Sequence, residues 1–503
     1  MAYQSFDQST GIPNMSWTKH TILGNLCLAF VCVLAMSLVG CSGGGGGSPP
    51  PKLTSFIVSP TNVSLAANTT ANLIATGTYS DGKTSLITTQ VTWTSAASGV
   101  ASVGVNSGLV TAGSASGKTT ITATLNGFAD QLVNITVTAF GGIVITSNTL
   151  ADARFDHTAA LLSTGPSTGK VMVVGGYNDN GALGTTGIFD PNATNPWTPG
   201  ADLNFPRGDH TSVTLNDGRV LITGGTDSVY TLLASTEIYD PAATTSSWML
   251  TGNLNSARAY NAIVLLGDGK KVLVAGGDTN AGTTNSAEVF DPDAGTWTPI
   301  LPMAVSRNSA TATLLPNNKV LVTGGFDANG VVLPSCELYD PATGQWSLTG
   351  SLIDARFSHT AILLPTGPNA GKVLVVGGAG ITANLASAEL YDPATGTWAP
   401  TGALAAARYI HTATLLTAPT GPNYGKILVV GGLDDYGNPL MSTELYNPTL
   451  GTWIATSNLA VARDNFTSTY IPDTDSTHPD GKVLSVGGNG PASIVINSSE
   501  LYW

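Results

Sequence analysis

Past residue 140 the chain repeats one pattern of apolar and polar positions seven times. One unit runs Arg408, then His411-Thr412-Ala413-Thr414-Leu415-Leu416, then Lys426-Ile427-Leu428-Val429-Val430-Gly431-Gly432, then Thr443-Glu444-Leu445-Tyr446, then Gly451-Thr452-Trp453. That reads as four short strands. The second is a continuous apolar run, as a strand covered on both faces requires. A Gly pair ends it, where the backbone needs positive φ or a close approach. The pairs fall at 175–176, 224–225, 276–277, 324–325, 377–378, 431–432 and 487–488, so the period is 48 to 56 residues. Four strands per repeat at this period predict one seven-bladed β-propeller over 140–503.

The last repeat stops at Glu500-Leu501-Tyr502-Trp503, one strand short. The stretch Ile143–Leu150 has the spacing of a fourth strand. Leu150 precedes Arg154 by four, as Leu404 precedes Arg408, and Val144 then falls where Trp398 falls. We expect 143–150 to complete the final blade, which removes a free sheet edge.

Residues 53–139 show a different pattern. Short β-branched runs such as Phe56-Ile57-Val58, Val91-Thr92-Trp93 and Val133-Asn134-Ile135-Thr136-Val137 alternate with turn signals. That predicts a small β-sandwich ahead of the propeller, so the fold class is all-β. Residues 42–52 are a Gly/Pro-rich linker, flexible first and stiffer at the prolines. Residues 1–41 hold a basic pair (Lys19, His20), an apolar run from Thr21 to Gly40, and Cys41. This order describes a secretory signal, with Met15 as an alternative start. A run of this length also suits a plain membrane anchor. Either reading puts the rest of the chain outside the cytoplasm.

Composition narrows the function. Charged residues are 10% of the chain, against about 25% for ordinary soluble domains. The net charge of −13 argues against nucleic acid as a partner. All six Glu occupy one repeat position: Glu237, Glu288, Glu337, Glu389, Glu444 and Glu500. Seven of eight Arg occupy another: Arg154, Arg207, Arg258, Arg307, Arg356, Arg408 and Arg463. A residue that recurs in every blade belongs to the scaffold first. We expect each Glu to be buried and paired with a ring Arg, since an unpaired buried carboxylate is very costly. His157, His210, His359 and His411 each stand three after their Arg, and a scaffold role is expected for them too. His478 alone is off-register. Cys336, in a strand pattern, is expected to be buried.

The loops after the Gly pairs differ between repeats and are the candidate ligand-binding elements. Their residues of interest are Tyr177, Asp179, Tyr230, Asp278, Phe326, Asp327, Asp434, Asp435 and Tyr436. Asp, Asn and Tyr suit sugar hydroxyls or Ca²⁺, yet Asp, Asn and Gly are also what tight turns use. No complete Ca²⁺ loop occurs, and no metal, cofactor or catalytic set is expected.

Three resemblances add to this reading. Leu38-Val39-Gly40-Cys41 resembles the lipobox of bacterial lipoproteins, which implies lipidation of Cys41 and a cell-envelope location. Gly77-Thr78-Tyr79-Ser80-Asp81-Gly82, Val100-Ala101-Ser102-Val103 and Gly108-Leu109-Val110-Thr111-Ala112 resemble the bacterial Ig-like group 2 family, mostly a spacer or adhesive module. The Gly pairs, the fixed Tyr and Trp, and the Arg-x-x-His openings resemble the Kelch family. That implies a propeller and says little about activity. We expect a surface-tethered, non-enzymatic binding or adhesion protein whose loops recognise a glycan or protein. The alternative is a carbohydrate-processing or oxidase-type enzyme of the galactose oxidase kind. For that, Cys336 lacks an accompanying off-register His pair.

Overall fold

The computed structural model describes residues 51–66, 70–113, 117–138, 143–146, 149–243, 247–419, 423–472 and 481–502. Cys41 and His478 lie outside them. Among the described residues no helix is long and apolar enough to cross a membrane.

Among the described residues from 143 onward the main sheets are seven, each of four strands. We number these blades 1 to 7 by their innermost strand. Blade 5 shows the plan: Thr360–Leu363, Val373–Val376, Ala388–Asp392 and Thr397–Thr401 pair antiparallel in sequence order. The first strands touch one another in a closed circuit. Thr158–Leu161 meets Thr211–Thr214, and the contacts continue through Ala262–Leu265, Thr311–Leu314, Thr360–Leu363 and Thr412–Leu415. Thr467–Ile471 then returns to Thr158–Leu161. This is the expected propeller.

The second strands are buried throughout, as their continuous apolar runs require. The core lies between blades. Leu374, Val376 and Leu390 of blade 5 pack on Ile427, Val429 and Tyr446 of blade 6. Each blade therefore depends on its neighbour for burial, and one such Leu truncated to Ala costs about 2–5 kcal/mol. The repeat Tyr and Trp meet across the third and fourth strands, with ring centroids 5.1 Å apart for Tyr391 and Trp398.

The closing strand forms as expected, shifted by one residue. Ile143–Ile145 pairs antiparallel with the last strand, Ile143 opposite Tyr502 and Ile145 opposite Glu500. In blade 5 the residue opposite the repeat Tyr is Trp398. Ile143, not Val144, therefore takes the Trp position. The reason is one additional residue between this strand and Leu150, which is itself buried as expected.

Residues 53–138 form short strands of a second kind. Asn62–Ala66, Gln131–Thr138, Gly117–Thr124 and Thr92–Ser95 make a four-stranded sheet in that order. Thr70–Asn72, Leu109–Ala112 and Ala101–Val103 make another of three. Alternation on Gly117–Thr124 buries Thr119, Ile121 and Ala123. Trp93 is buried beside them and donates from Nε1 to the Thr88 carbonyl at 3.0 Å.

Candidate functional site

One face of the propeller is built by the Gly-pair loops and by the connections leading into each first strand. Bridges such as Phe155 to Tyr177, Gly208 to Thr226 and Asp464 to Asn489 tie the two sets together. The ring Arg and Glu hold their bases. Arg207 Nη1 donates to the carbonyls of Gly224 (2.8 Å) and Ser235 (2.9 Å), and Nη2 meets Glu237 Oε1 at 3.0 Å. Glu237 in turn accepts the backbone N–H groups of Asn204 and Phe205. Six such pairs occur, with N···O distances of 2.6 to 3.0 Å and both side chains out of solvent. Gly224, at φ +67, also lies tight against the next blade: a Cβ there would lie 2.3 Å from the Arg258 carbonyl oxygen. Blade 1 has Gly187 in the Glu position, and Leu150 fills the space a side chain there would need. Arg154 has Asp152 at 3.6 Å instead, and burial pushes its guanidinium down to about 10.

The repeat histidines latch neighbouring blades. Nε2 of His210 bonds Thr158 Oγ1 at 2.9 Å, and His359 and His411 bond Thr311 and Thr360 in the same way at 3.0 Å. Burial pushes His210 and His359 down to about 3, so both are neutral at neutral pH. The repeat Lys serve the opposite face. Lys170, Lys319 and Lys372 reach Asp190, Asp340 and Asp392 at 3.1 to 3.3 Å, while Arg219 turns to Asp217 at 2.8 Å. Asp190, Asp340 and Asp392 each stand before a Pro at one repeat position, and these Lys are their partners.

The candidate loop residues divide into four groups. Asp327 and Asp434 are spent on their own turns: each Oδ1 accepts two backbone N–H groups, from Asn329 and Val331 and from Tyr436 and Asn438. Asp278 accepts from Thr283 within its hairpin at 2.7 Å. Tyr177 is buried, donates to the Thr226 carbonyl at 3.2 Å, and packs on Phe155 and Tyr230. Phe326 stands edge-on to Phe357. Asp435 reaches across to the backbone N–H of Asn384 in the next loop, at 2.7 Å. Asp179 is exposed, as are the apolar tips Val229, Tyr230, Val331, Ile381, Tyr436 and Ile494. Tyr436, at 89% exposure, is the extreme case.

Sequence reading missed the residues at the axis. Two after each ring Arg come Asp156, Asp209, Tyr260, Ser309, Ser358, Ile410 and Asn465, all at φ between 45° and 60°. Their backbones follow one another round the axis: the N–H of Asp156 donates to Asn465 O, Asp209 to Asp156 O, Ser309 to Tyr260 O, Ser358 to Ser309 O and Ile410 to Ser358 O. One arc of this ring is acidic. Tyr260 donates to Asp209 Oδ2 at 2.8 Å, and the Thr226 hydroxyl approaches the same oxygen. Asp464, one residue before Asn465, is held by Asn489 at 3.4 Å. Burial raises Asp209 to about 6 and Asp464 to about 7. Burial and then the neighbouring Asp209 and Asp464 carboxyls raise Asp156. The opposite arc borders an open depression of about 270 Å³ lined by Tyr260, Ser309, Ser358, Ile410 and the residues behind them. The available signal was variation at one position between a constant Arg and a nearly constant His.

Comparison with known proteins agrees with this architecture. Residues 52–137 match the bacterial Ig-like domain (group 2), and residues 265–304 and 307–352 match the Kelch motif. The Kelch repeat-containing protein kel-10 of Caenorhabditis elegans is 34% identical over 28% of this chain and 25% of its own length. Ice-binding protein 1 of Shewanella frigidimarina is 48% identical over 17% of this chain and 9% of its own. Galactose oxidase of Gibberella zeae is 24% identical over 27% and 20%. The chain thus spans a quarter or less of these relatives. A solved fungal alcohol oxidase of the AA5 family, in complex with copper, superposes with a TM-score of 0.55 at 21% identity. It covers 72% of this chain and 76% of that one, which supports the shared fold.

Proposed function

We propose that this chain is a non-enzymatic binding protein. In this reading its Gly-pair loop face recognises a glycan or protein, and a lipid on Cys41 tethers it outside the cytoplasm at a bacterial cell envelope. The observation that carries it is the row of exposed apolar loop tips, Val229, Tyr230, Val331, Ile381, Tyr436 and Ile494, in five of seven blades. Large apolar side chains grouped on one face mark interaction surfaces, and Tyr is prominent in binding hot spots. The Arg–Glu pairs beneath them keep the loop bases rigid, so little ordering is lost on binding.

An enzyme on the same scaffold is the second reading, favoured by the galactose oxidase likeness. The residues described do not fit a copper centre. Among them no three His, Cys, Asp or Glu side chains converge as ligands, and His210, His359 and His411 bond Thr between blades.

A glycan array and a co-capture screen with the full chain test the proposal. Tyr436→Ala together with Ile381→Ser is expected to weaken any ligand found by at least tenfold without moving the melt. Retained affinity in that double variant, or copper-dependent turnover of a sugar alcohol, would sink it. Fatty-acid labelling lost in Cys41→Ala tests the tether.

A further inference from the structure

Four Asn-Gly steps occur in the sequence, at Asn126, Asn180, Asn329 and Asn489. Such a step can cyclise when the Gly nitrogen attacks the Asn side-chain carbonyl carbon. Gly, without a Cβ, hinders that approach least. The attack needs the Gly nitrogen free and the local backbone able to turn.

Three of the four steps follow Gly pairs on the propeller, and there the nitrogen is engaged. Gly330 N donates to Asp327 O at 2.9 Å, in a turn that Asp327 Oδ1 also holds through the N–H groups of Asn329 and Val331. Gly490 N donates to Ile494 O at 2.8 Å, and Asn489 is buried and tied to Asp464 through its backbone and its Nδ2. Gly181 stands opposite Asn178 in a two-residue hairpin. The adjacent pair, Tyr177 and Ala182, sends its N–H groups to Phe155 O and Ser228 Oγ. Hydrogen-bonded pairs alternate along such a ladder, so the bonds fall on Asn178 and Gly181.

Asn126 differs. It lies in the turn between the strands Gly117–Thr124 and Gln131–Thr138 of the Ig-like module, closed by Phe128 N donating to Leu125 O at 3.0 Å. Asn126 and Gly127 are the two central residues of this turn, and both are exposed. Gly127 takes φ +87, as the third residue of a type II turn does. Its nitrogen has no partner among the described residues, and a Cβ placed there would meet nothing within 4 Å.

We propose that Asn126 is a site of spontaneous deamidation, the one Asn-Gly step of the four that the fold leaves open. The Gly127 nitrogen bonds to Asn126 Cγ, and the side-chain nitrogen leaves as ammonia, carrying the proton lost from Gly127. Water then opens the succinimide to isoaspartate or aspartate. The product gains a negative charge, and in the isoaspartate form the main chain gains a carbon. The flanking strands keep their pairing, Gln131 opposite Ala123, so the change is confined to the turn. The site does not rest on the glycan or protein reading.

The test is peptide mass spectrometry on the full chain warmed in mildly alkaline buffer, with enzymatic methylation of isoaspartate as a second readout. In the native chain Asn126 is expected to convert at least about tenfold faster than Asn180, Asn329 or Asn489, which must wait for local opening. In denaturant the four rates should converge. Asn126→Gln should abolish the native methylation without moving Tm. An intact Asn126, equal conversion at any of the other three in the native chain, or a lead of the same size in denaturant overturns the proposal.

Discussion

The Arg356 guanidinium meets the Glu389 carboxylate at 2.7 Å with both side chains out of solvent. The same Glu389 accepts the backbone N–H groups of Ile353 and Asp354, so one pair fixes a strand, a Gly-pair loop and an incoming connection. Removing one partner leaves the other charged and buried. Glu389→Gln is expected to cost about 3–5 kcal/mol and lower Tm accordingly, as read by calorimetry. An unchanged melt would show that the pair is not buried as described.

Acid and base act differently on the axis. An unfolded Asp titrates near pH 3.9, whereas Asp209 is raised to about 6 and Asp464 to about 7 in the fold, chiefly by burial. A raised folded value means the native state holds the proton more tightly. Its stabilisation is complete below about pH 4 and is lost as pH rises through 6 to 7. The groups facing this arc are Asp156, Tyr177, Tyr260, Thr226 and Asn489, none of them cationic. Tm is therefore expected to fall between pH 5 and 8, and Asp209→Asn to flatten that fall. Equal slopes in both proteins would refute the assignment.

Cys336 is fully buried, with its Sγ 3.6 Å from the Pro334 carbonyl, and burial raises its thiol to about 11. Thiolate is the reactive form. Maleimide reagents should leave Cys336 unmodified in the native protein and label it in denaturant. Labelling of Cys336 under native conditions, seen by peptide mass spectrometry, would contradict its burial.

The strand Ile143–Ile145 supplies the fourth edge of blade 7. Replacing these three residues with Gly removes β-branched strand formers and weakens the pairing. The expected result is a lower Tm and faster hydrogen exchange in Ser499–Tyr502 than elsewhere. Uniform exchange across the blades would count against the seam as the weak point.

Repetition decided what was readable from sequence. Glu and Arg recur six and seven times at the positions of Glu389 and Arg356, so their scaffold role and pairing are legible from spacing alone. Asp156, Asp209 and Tyr260 do not recur as a type. They share only a backbone conformation, at φ 50° to 55°, which no residue type announces. Asp327 and Asp434 were prominent in sequence because they vary between loops, yet their Oδ1 atoms serve their own turns. The one-residue shift of the closing strand is not legible in the repeat spacing, because the connection to Leu150 is longer by one residue than in other blades.

That closing strand also orders events in time. Thr146 Oγ1 bonds the Ser499 hydroxyl 353 residues further along the chain, so the ribosome makes one side of the seam long before the other. During synthesis the early strand has no partner, and blade 1 has no blade 7 to lean on. Non-local pairing of this kind is slow and leaves edges open to wrong partners. Until Ser499–Tyr502 emerges from the ribosome, the propeller has no way to lock shut.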